Sequence, residues 1–156
     1  MAIADDDRLM REVLEQMLAA LGHQVVVVAD NGQSLIQQCA NESPDVVITD
    51  NMMPDMCGSD AAAVIYGRRP IPIVIVSSFC DRDLVLKAEQ EHVLMYLVKP
   101  ISVNHLQAAL ARCRDQILQR ASQEIEIKEQ TEIRDGFGHP LSARPYQTRG
   151  ALYRHT

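Results

Sequence analysis

Short apolar runs, each closed by a residue that carries chemistry, constrain this chain more than anything else in it. An apolar start leads into Asp5-Asp6-Asp7, Val46-Val47-Ile48-Thr49 ends at Asp50, Ile73-Val74-Ile75-Val76 ends at Ser77, and Tyr96-Leu97-Val98 ends at Lys99-Pro100. Such runs are too short for an ordinary helix and rich in β-branched residues, so each reads as a buried strand. In an open parallel sheet, ligands gather in the crevice beyond the carboxyl ends of the strands. Carboxylates, a hydroxyl and an ammonium are therefore expected to converge on one rim.

The segments between the runs have helical spacing. After a first strand at Ala2 to Ala4, Leu9, Met10, Val13, Leu14, Met17, Leu18 and Leu21 form one stripe, with Asp7 as cap and Gly22 as stop. Val25 to Val28 read as the second strand. Asn31-Gly32 turns the chain into a helix carrying Leu35, Ile36 and Cys39, which Ser43-Pro44 ends. The third strand delivers Asp50, and a loop from Asn51 to Gly58 leads to a short helix from about Ser59 to Tyr66, broken by Arg68-Arg69-Pro70. The fourth strand begins near Ile71, a further helix runs from about Arg82 to Glu91, and the fifth strand covers Met95 to Val98. A last helix follows Pro100, capped by Ser102, with Val103, Leu106, Leu110 and Cys113 toward the sheet.

This alternation predicts an α/β fold, a doubly wound five-stranded parallel sheet of flavodoxin-like order 2-1-3-4-5. That order sets Asp5 and Asp6 beside Asp50 and brings Ser77 and Lys99 to the same rim. The domain is expected over 1–115. Residues 116–156 read as a helical extension through Ile117, Leu118, Ile125 and Ile127, then a disordered tail from Gly136 with three Gly and two Pro.

Charge narrows the function. Residues 1–115 carry 9 Lys/Arg against 16 Asp/Glu, a net −7, and residues 116–156 carry 6 against 5, a net +1. The first part lacks the basic face of a duplex binder, so nucleic acid is not an expected partner. No apolar stretch is long enough to cross a bilayer, and aspartates stand where a secretory leader would have its basic and apolar regions. A cytoplasmic location is expected. The four cysteines form no CxxC and the five histidines share no metal spacing, so zinc is not expected.

Crowded carboxylates demand a counter-charge: two unit charges 4 Å apart repel by about 1–4 kcal/mol at the dielectric of a surface cleft. A hard divalent cation with few protein ligands answers that demand, and Mg²⁺ is the expected cofactor. Mg²⁺ and the Lys99 ammonium together suit a phosphoryl group, with Asp50 as the nucleophile that forms an acyl phosphate.

Together, Ala4-Asp5-Asp6-Asp7, Asp50-Asn51-Met52-Met53-Pro54-Asp55-Met56-Cys57-Gly58, Val76-Ser77-Ser78 and Tyr96-Leu97-Val98-Lys99-Pro100 resemble the receiver domains of two-component response regulators. The resemblance covers about residues 1–115. It implies a regulatory phosphoacceptor rather than a metabolic enzyme, one that catalyses its own phosphorylation and dephosphorylation. Asp50 takes the phosphoryl group from a sensor histidine kinase or phosphotransfer protein. Asp6, Asp50 and the Met52 carbonyl ligate Mg²⁺, with Asp5 acting through water. Ser77 and Lys99 hold the phosphoryl oxygens, Ser77 and Tyr96 form the switch, and the Lys99-Pro100 bond is cis. A homodimer is expected through the face of the 82–91 helix, the fifth strand and the last helix.

The Gly-Ala pair usual before the fifth strand is replaced by His92-Val93. Met52 and Phe79 are apolar where relatives place water-orienting side chains, so slow self-dephosphorylation is expected. A haloacid-dehalogenase-like phosphatase would need an acid at position 52, where Met52 stands. Residues 76–101 are also similar to receivers of ANTAR-type antiterminators, which precede an RNA-binding helical module. The alternative reading is thus an antiterminator-type regulator with a degenerate or truncated output module.

Overall fold

The computed structural model describes residues 1–78 and 93–137, with side chains to residue 129. The helix expected at 82–91, Phe79, Cys80 and the tail beyond 137 lie outside the described residues. Five strands, β1 (Ala2–Ala4), β2 (Val27–Ala29), β3 (Val47–Asp50), β4 (Ile73–Ser77) and β5 (Met95–Val98), form one parallel sheet in the order β2-β1-β3-β4-β5. The described helices are α1 (Arg8–Ala20), α2 (Gly32–Glu42), α3 (Gly58–Arg68) and α4 (Val103–Phe137). The fold is the flavodoxin-like one expected.

Alternation along the buried strands sorts side chains into two layers. Ala2, Ala4, Val47, Ile73 and Ile75 pack on one face with Leu35, Ile36, Ala61, Ala62 and Ile65 of α2 and α3. Ile3, Ile48, Val74, Val76 and Leu97 pack on the other with Leu14 and Leu18 of α1 and Leu106, Leu110 and Cys113 of α4. One polar patch breaks the apolar interior: Asp5, Thr49, Asp50, Asn51, Ser59 and Ser77 are buried.

Local signals set most boundaries. Asp7 Oδ1 accepts the Leu9 N–H at 2.9 Å and caps α1, which ends at Leu21 with Gly22 at φ 81°, a conformation glycine adopts without strain. Asn31 Oδ1 accepts the Ser34 N–H and starts α2. Ser102 Oγ accepts the His105 N–H at the start of α4.

Several boundaries move from expectation for tertiary reasons. β2 starts at Val27 rather than Val25 because its ladder can begin only opposite Ala2. β4 starts at Ile73 rather than Ile71 because Pro70 and Pro72 have no N–H to give to a ladder. α3 runs on to Arg68, and Arg69 is extended (φ −148°) because the residue before a proline avoids the α region. Gly136 and Phe137, expected in the tail, are helical.

Two expected core residues are outside. Leu9 is 65% exposed: at 3.6 residues per turn it lies about 140° around the helix from Leu14 and about 180° from Leu18. Val103 is 42% exposed, in the turn ahead of Leu106, the first residue of α4 to reach the core.

Residues 1–120 form one compact unit, and the described residues beyond Arg120 belong to a second. Within the first unit, the Arg120 guanidinium lies 5.2 Å from the Tyr66 ring centre, donates to the Tyr66 hydroxyl at 2.6 Å and also to the Pro70 carbonyl. This clamp fastens α4 to the end of α3. Among the described residues no helix is long and apolar enough to cross a membrane.

Candidate functional site

β1 delivers Asp5 to the rim. Its N–H still follows the ladder, donating to the Ala29 carbonyl at 3.2 Å, while its carboxylate is 1% exposed. Asp5 Oδ1 accepts the Asp7 N–H at 2.9 Å, and Oδ2 accepts Lys99 Nζ at 2.8 Å. The three aspartates thus divide: Asp7 caps α1, Asp5 is in the pocket, and Asp6 stands at its exposed mouth. Arg11 reaches back to the carbonyls of Asp5 (2.7 Å) and Asp6 (3.2 Å) and holds this turn against the first winding of α1.

β3 ends on Asp50, which is 5% exposed. One carboxylate oxygen lies 3.2 Å from Lys99 Nζ and the other accepts the Met52 N–H at 3.1 Å. The Met52 side chain itself is 68% exposed, so only its main chain faces Asp50. β5 brings Lys99 to the rim, where its N–H donates to the Ser77 carbonyl at 2.9 Å. The Lys99-Pro100 bond is cis. Ser77 ends β4, buried, one register step beyond the residue opposite Asp50. Tyr96 is half-buried on β5 and packs against the α2–α3 layer.

Asp5, Asp6 and Asp50 each offer an oxygen, and these oxygens lie within 4.8 Å of one another. At that separation each pair repels by about 1–3.5 kcal/mol between the dielectric of water and that of a cleft. Lys99 contributes one positive charge against three negative ones. The remaining demand is for two positive charges bound through oxygen, which a hard divalent cation meets.

Burial pushes the Asp50 carboxyl above the ordinary carboxylate range; Lys99 opposes this, the Asp5 charge adds to it, and the Met52 amide opposes it. Burial disfavours the Lys99 ammonium, but its hydrogen bond to Asp5 and the charges of Asp5 and Asp50 more than offset that and hold its pKa above the usual lysine value. The lysine is therefore cationic at neutral pH.

The structure adds residues that sequence reasoning left without roles. A Cβ on Gly58 would fall 2.1 Å from the Asp50 carbonyl oxygen, so α3 starts in direct contact with the acceptor's own backbone. Gly58 N–H donates to the Asn51 carbonyl at 3.0 Å, and buried Asn51 Oδ1 accepts the Ser59 N–H at 3.1 Å. Thr49 Oγ1 donates to the Asp50 carbonyl at 2.9 Å. None of these contacts has a local spacing signal. Only the glycine, at a loop end before a helix, could have drawn notice.

A doubly wound sheet with an acidic nest and a lysine at its carboxyl rim defines a signalling domain of the receiver class. The chain belongs to the response regulator receiver domain family, whose model matches residues 1–111. It is 40% identical over 108 residues to the transcriptional regulatory protein PdtaR of Mycobacterium tuberculosis, a match covering 69% of this chain and 53% of that protein. It is 32% identical over 111 residues to the DNA-binding transcriptional regulator NtrC of Escherichia coli, covering 70% of this chain and 24% of that one. The chain thus spans about half or less of these curated relatives. Among solved structures, the signal receiver domain of the response regulator NarL from Mycobacterium tuberculosis superposes with a TM-score of 0.68 at 27% identity, covering 72% of this chain and 92% of that one.

Proposed function

We propose that this receiver accepts a phosphoryl group on Asp50 from the phosphohistidine of a sensor histidine kinase or phosphotransfer protein. One observation carries the reading: the Lys99 ammonium sits 2.8 Å from Asp5 and 3.2 Å from Asp50 inside a nest of three carboxylates. Asp6, Asp50 and the Met52 carbonyl would hold Mg²⁺, with Asp5 acting through water; the clustering of the three carboxylates supports this. When bound, the cation supplies charge neutralisation for the incoming phosphoryl oxygens. Asp50 is the nucleophile, held by the Met52 N–H and Lys99 so that one carboxylate oxygen is oriented before the donor arrives. Lys99 draws charge from the transferring group, and the Ser77 hydroxyl donates to one of its oxygens.

The bond that forms is Asp50 Oδ–P, and the one that breaks is the donor's N–P bond. Inward movement of Ser77 and Tyr96 then alters the surface along β5, where Val98 is exposed at the sheet edge. The activity is regulatory, catalysing the domain's own phosphorylation and dephosphorylation, and its setting is the cytoplasm. The test is acetyl phosphate with Mg²⁺ followed by intact-mass detection. One PO₃ adduct is expected on the wild type and none on Asp50→Asn; an equal adduct on both would overturn the assignment.

The similarity to a transcriptional regulatory protein favours a second reading, an RNA-binding antiterminator-type regulator whose output module is degenerate or truncated. Its test is a mobility shift with hairpin RNA. A shift that depends on residues 116–156 supports it, and no shift excludes it.

A further inference from the structure

Two oxygens of a single buried residue hold the loop that leaves the acceptor strand. Asn51 follows Asp50 directly and is 2% exposed. Its N–H extends the ladder to the Val76 carbonyl at 3.3 Å, which fixes it to β4. Its carbonyl accepts the Gly58 N–H at 3.0 Å, and its Oδ1 accepts the Ser59 N–H at 3.1 Å. Gly58 and Ser59 open α3, so Asn51 satisfies two of the amides that a helix start leaves unpaired. That task ordinarily belongs to the N-cap side chain. Here Cys57 holds the N-cap position and makes no capping hydrogen bond; its thiol lies 3.2 Å from the Ser59 hydroxyl instead.

Residues 52–57 thus form a loop pinned at both ends by one residue. Within it, the Met56 N–H donates to the Pro54 carbonyl at 2.8 Å, and Asp55 takes φ 67°, a left-handed conformation that costs a non-glycine residue free energy. A turn strained in this way persists where its surroundings hold it. The loop begins with Met52, whose N–H meets Asp50 Oδ2 at 3.1 Å and whose carbonyl is the third protein ligand proposed for Mg²⁺. The Met52 side chain is 68% exposed, so its own packing does little to anchor that main chain. The anchorage comes from the neighbouring residue.

We propose that Asn51 is a positioning residue for the acceptor site. By clamping both ends of the 52–57 loop, it holds the Met52 amide on Asp50 and the Met52 carbonyl where the cation binds. An alanine at position 51 would keep the main-chain bond to Gly58 and the ladder to β4, and would lose only the bond to Ser59. The clamp would loosen while the strand stayed intact. The inference rests on the phosphoacceptor reading for what the loop is positioned to do.

The experiment separates positioning from helix capping by a second substitution. Cys57→Ser puts a hydroxyl at the N-cap, where it accepts an amide of the first turn and restores the helix start locally. Wild type, Asn51→Ala and the double variant are compared as full chains by urea midpoint, by hydrogen exchange of the Met52 amide without metal, and by Mg²⁺ titration calorimetry. Asn51→Ala is expected to lower the midpoint and to speed Met52 exchange about tenfold through local opening. It is also expected to weaken Mg²⁺ binding about tenfold, the loss typical when a residue that supports a metal ligand is removed. The double variant is expected to regain the midpoint but neither the exchange protection nor the affinity. Recovery of all three would overturn the proposal and leave Asn51 a helix cap; so would wild-type exchange and affinity in Asn51→Ala. A wild type that neither binds Mg²⁺ nor takes up a phosphoryl group would instead sink the phosphoacceptor reading, and the metal-free exchange of Met52 would still decide whether Asn51 holds the loop.

Discussion

Gly58→Ala tests how the acceptor is built. The new Cβ would lie 2.1 Å from the Asp50 carbonyl oxygen, 3.0 Å from its carbon and 3.1 Å from Thr49 Oγ1. With 3.0 Å as the closest approach real Cβ atoms make, about 0.9 Å must be found between two backbone segments. Either α3 lifts from the end of β3, or the Asp50 carbonyl tilts and loses its 2.9 Å bond from Thr49. Overpacking of this kind costs about 1–3 kcal/mol, and weakening the Gly58–Asn51 hydrogen bond adds about 1. The reduced freedom of the unfolded alanine chain returns roughly 0.5, leaving a loss of about 1.5–3.5 kcal/mol. A domain with about 5–15 kcal/mol of stability still folds, with its urea midpoint lowered by roughly 1 M. A shift approaching 1 Å at Asp50 should slow phosphorylation by acetyl phosphate up to about a hundredfold.

Gly67, in the same helix with nothing within 4 Å of its would-be Cβ, is the control. Gly67→Ala should gain about 0.5–1 kcal/mol and leave the rate alone. An unchanged midpoint and rate for Gly58→Ala would refute the reasoning.

Lys99→Ala leaves Asp5 and Asp50 buried without their cation and should cost about 2–4 kcal/mol near neutral pH in urea titrations. The deficit should shrink on acidification, since a proton on Asp50, whose pKa is already raised, removes the unpaired charge. In the wild type the Lys99 contribution is present below the ordinary lysine pKa and fades only as pH rises through its raised folded value. Mg²⁺ at about ten times its Kd should stabilise the wild type by about 1.4 kcal/mol, roughly 3–6 °C in melting temperature, and Asp6→Asn should abolish that gain at little cost in stability.

Burial pushes the Cys39 and Cys113 thiols up from 9.0 to about 11. The folded chain thus keeps two protons that the unfolded chain releases first, and stability should fall between about pH 9 and 11 by up to ~2.7 kcal/mol per thiol. Urea midpoints across that range should show the slope reduced by about half in Cys39→Ala. Met52→Gln, placing an amide two residues past the acceptor, should shorten the phosphoryl lifetime about tenfold, measured by decay of the adduct mass.

Short β-branched runs, capping aspartates and asparagines, and proline and glycine punctuation act within a few residues of themselves. The alternation of strands and helices, the sheet order, the N-caps at Asp7 and Ser102 and the turn at Asn31-Gly32 were therefore legible in the chain alone. So was the set Asp5, Asp6, Asp50, Ser77 and Lys99, because a parallel sheet sends every strand's carboxyl end to the same rim.

The tertiary structure decided what depends on neighbours distant in sequence. β2 shortened to match Ala2, and Leu9 faced solvent because the core lay under Leu14 and Leu18. Gly58 met the Asp50 carbonyl, and Arg120 found Tyr66 and Pro70. The same holds for the charges. Three acidic side chains and a lysine can be counted in a sequence, but how far burial lifts Asp50 and how firmly Lys99 is held depend on packing. Desolvation and Coulomb energy are functions of distance and enclosure, and only the folded chain sets those.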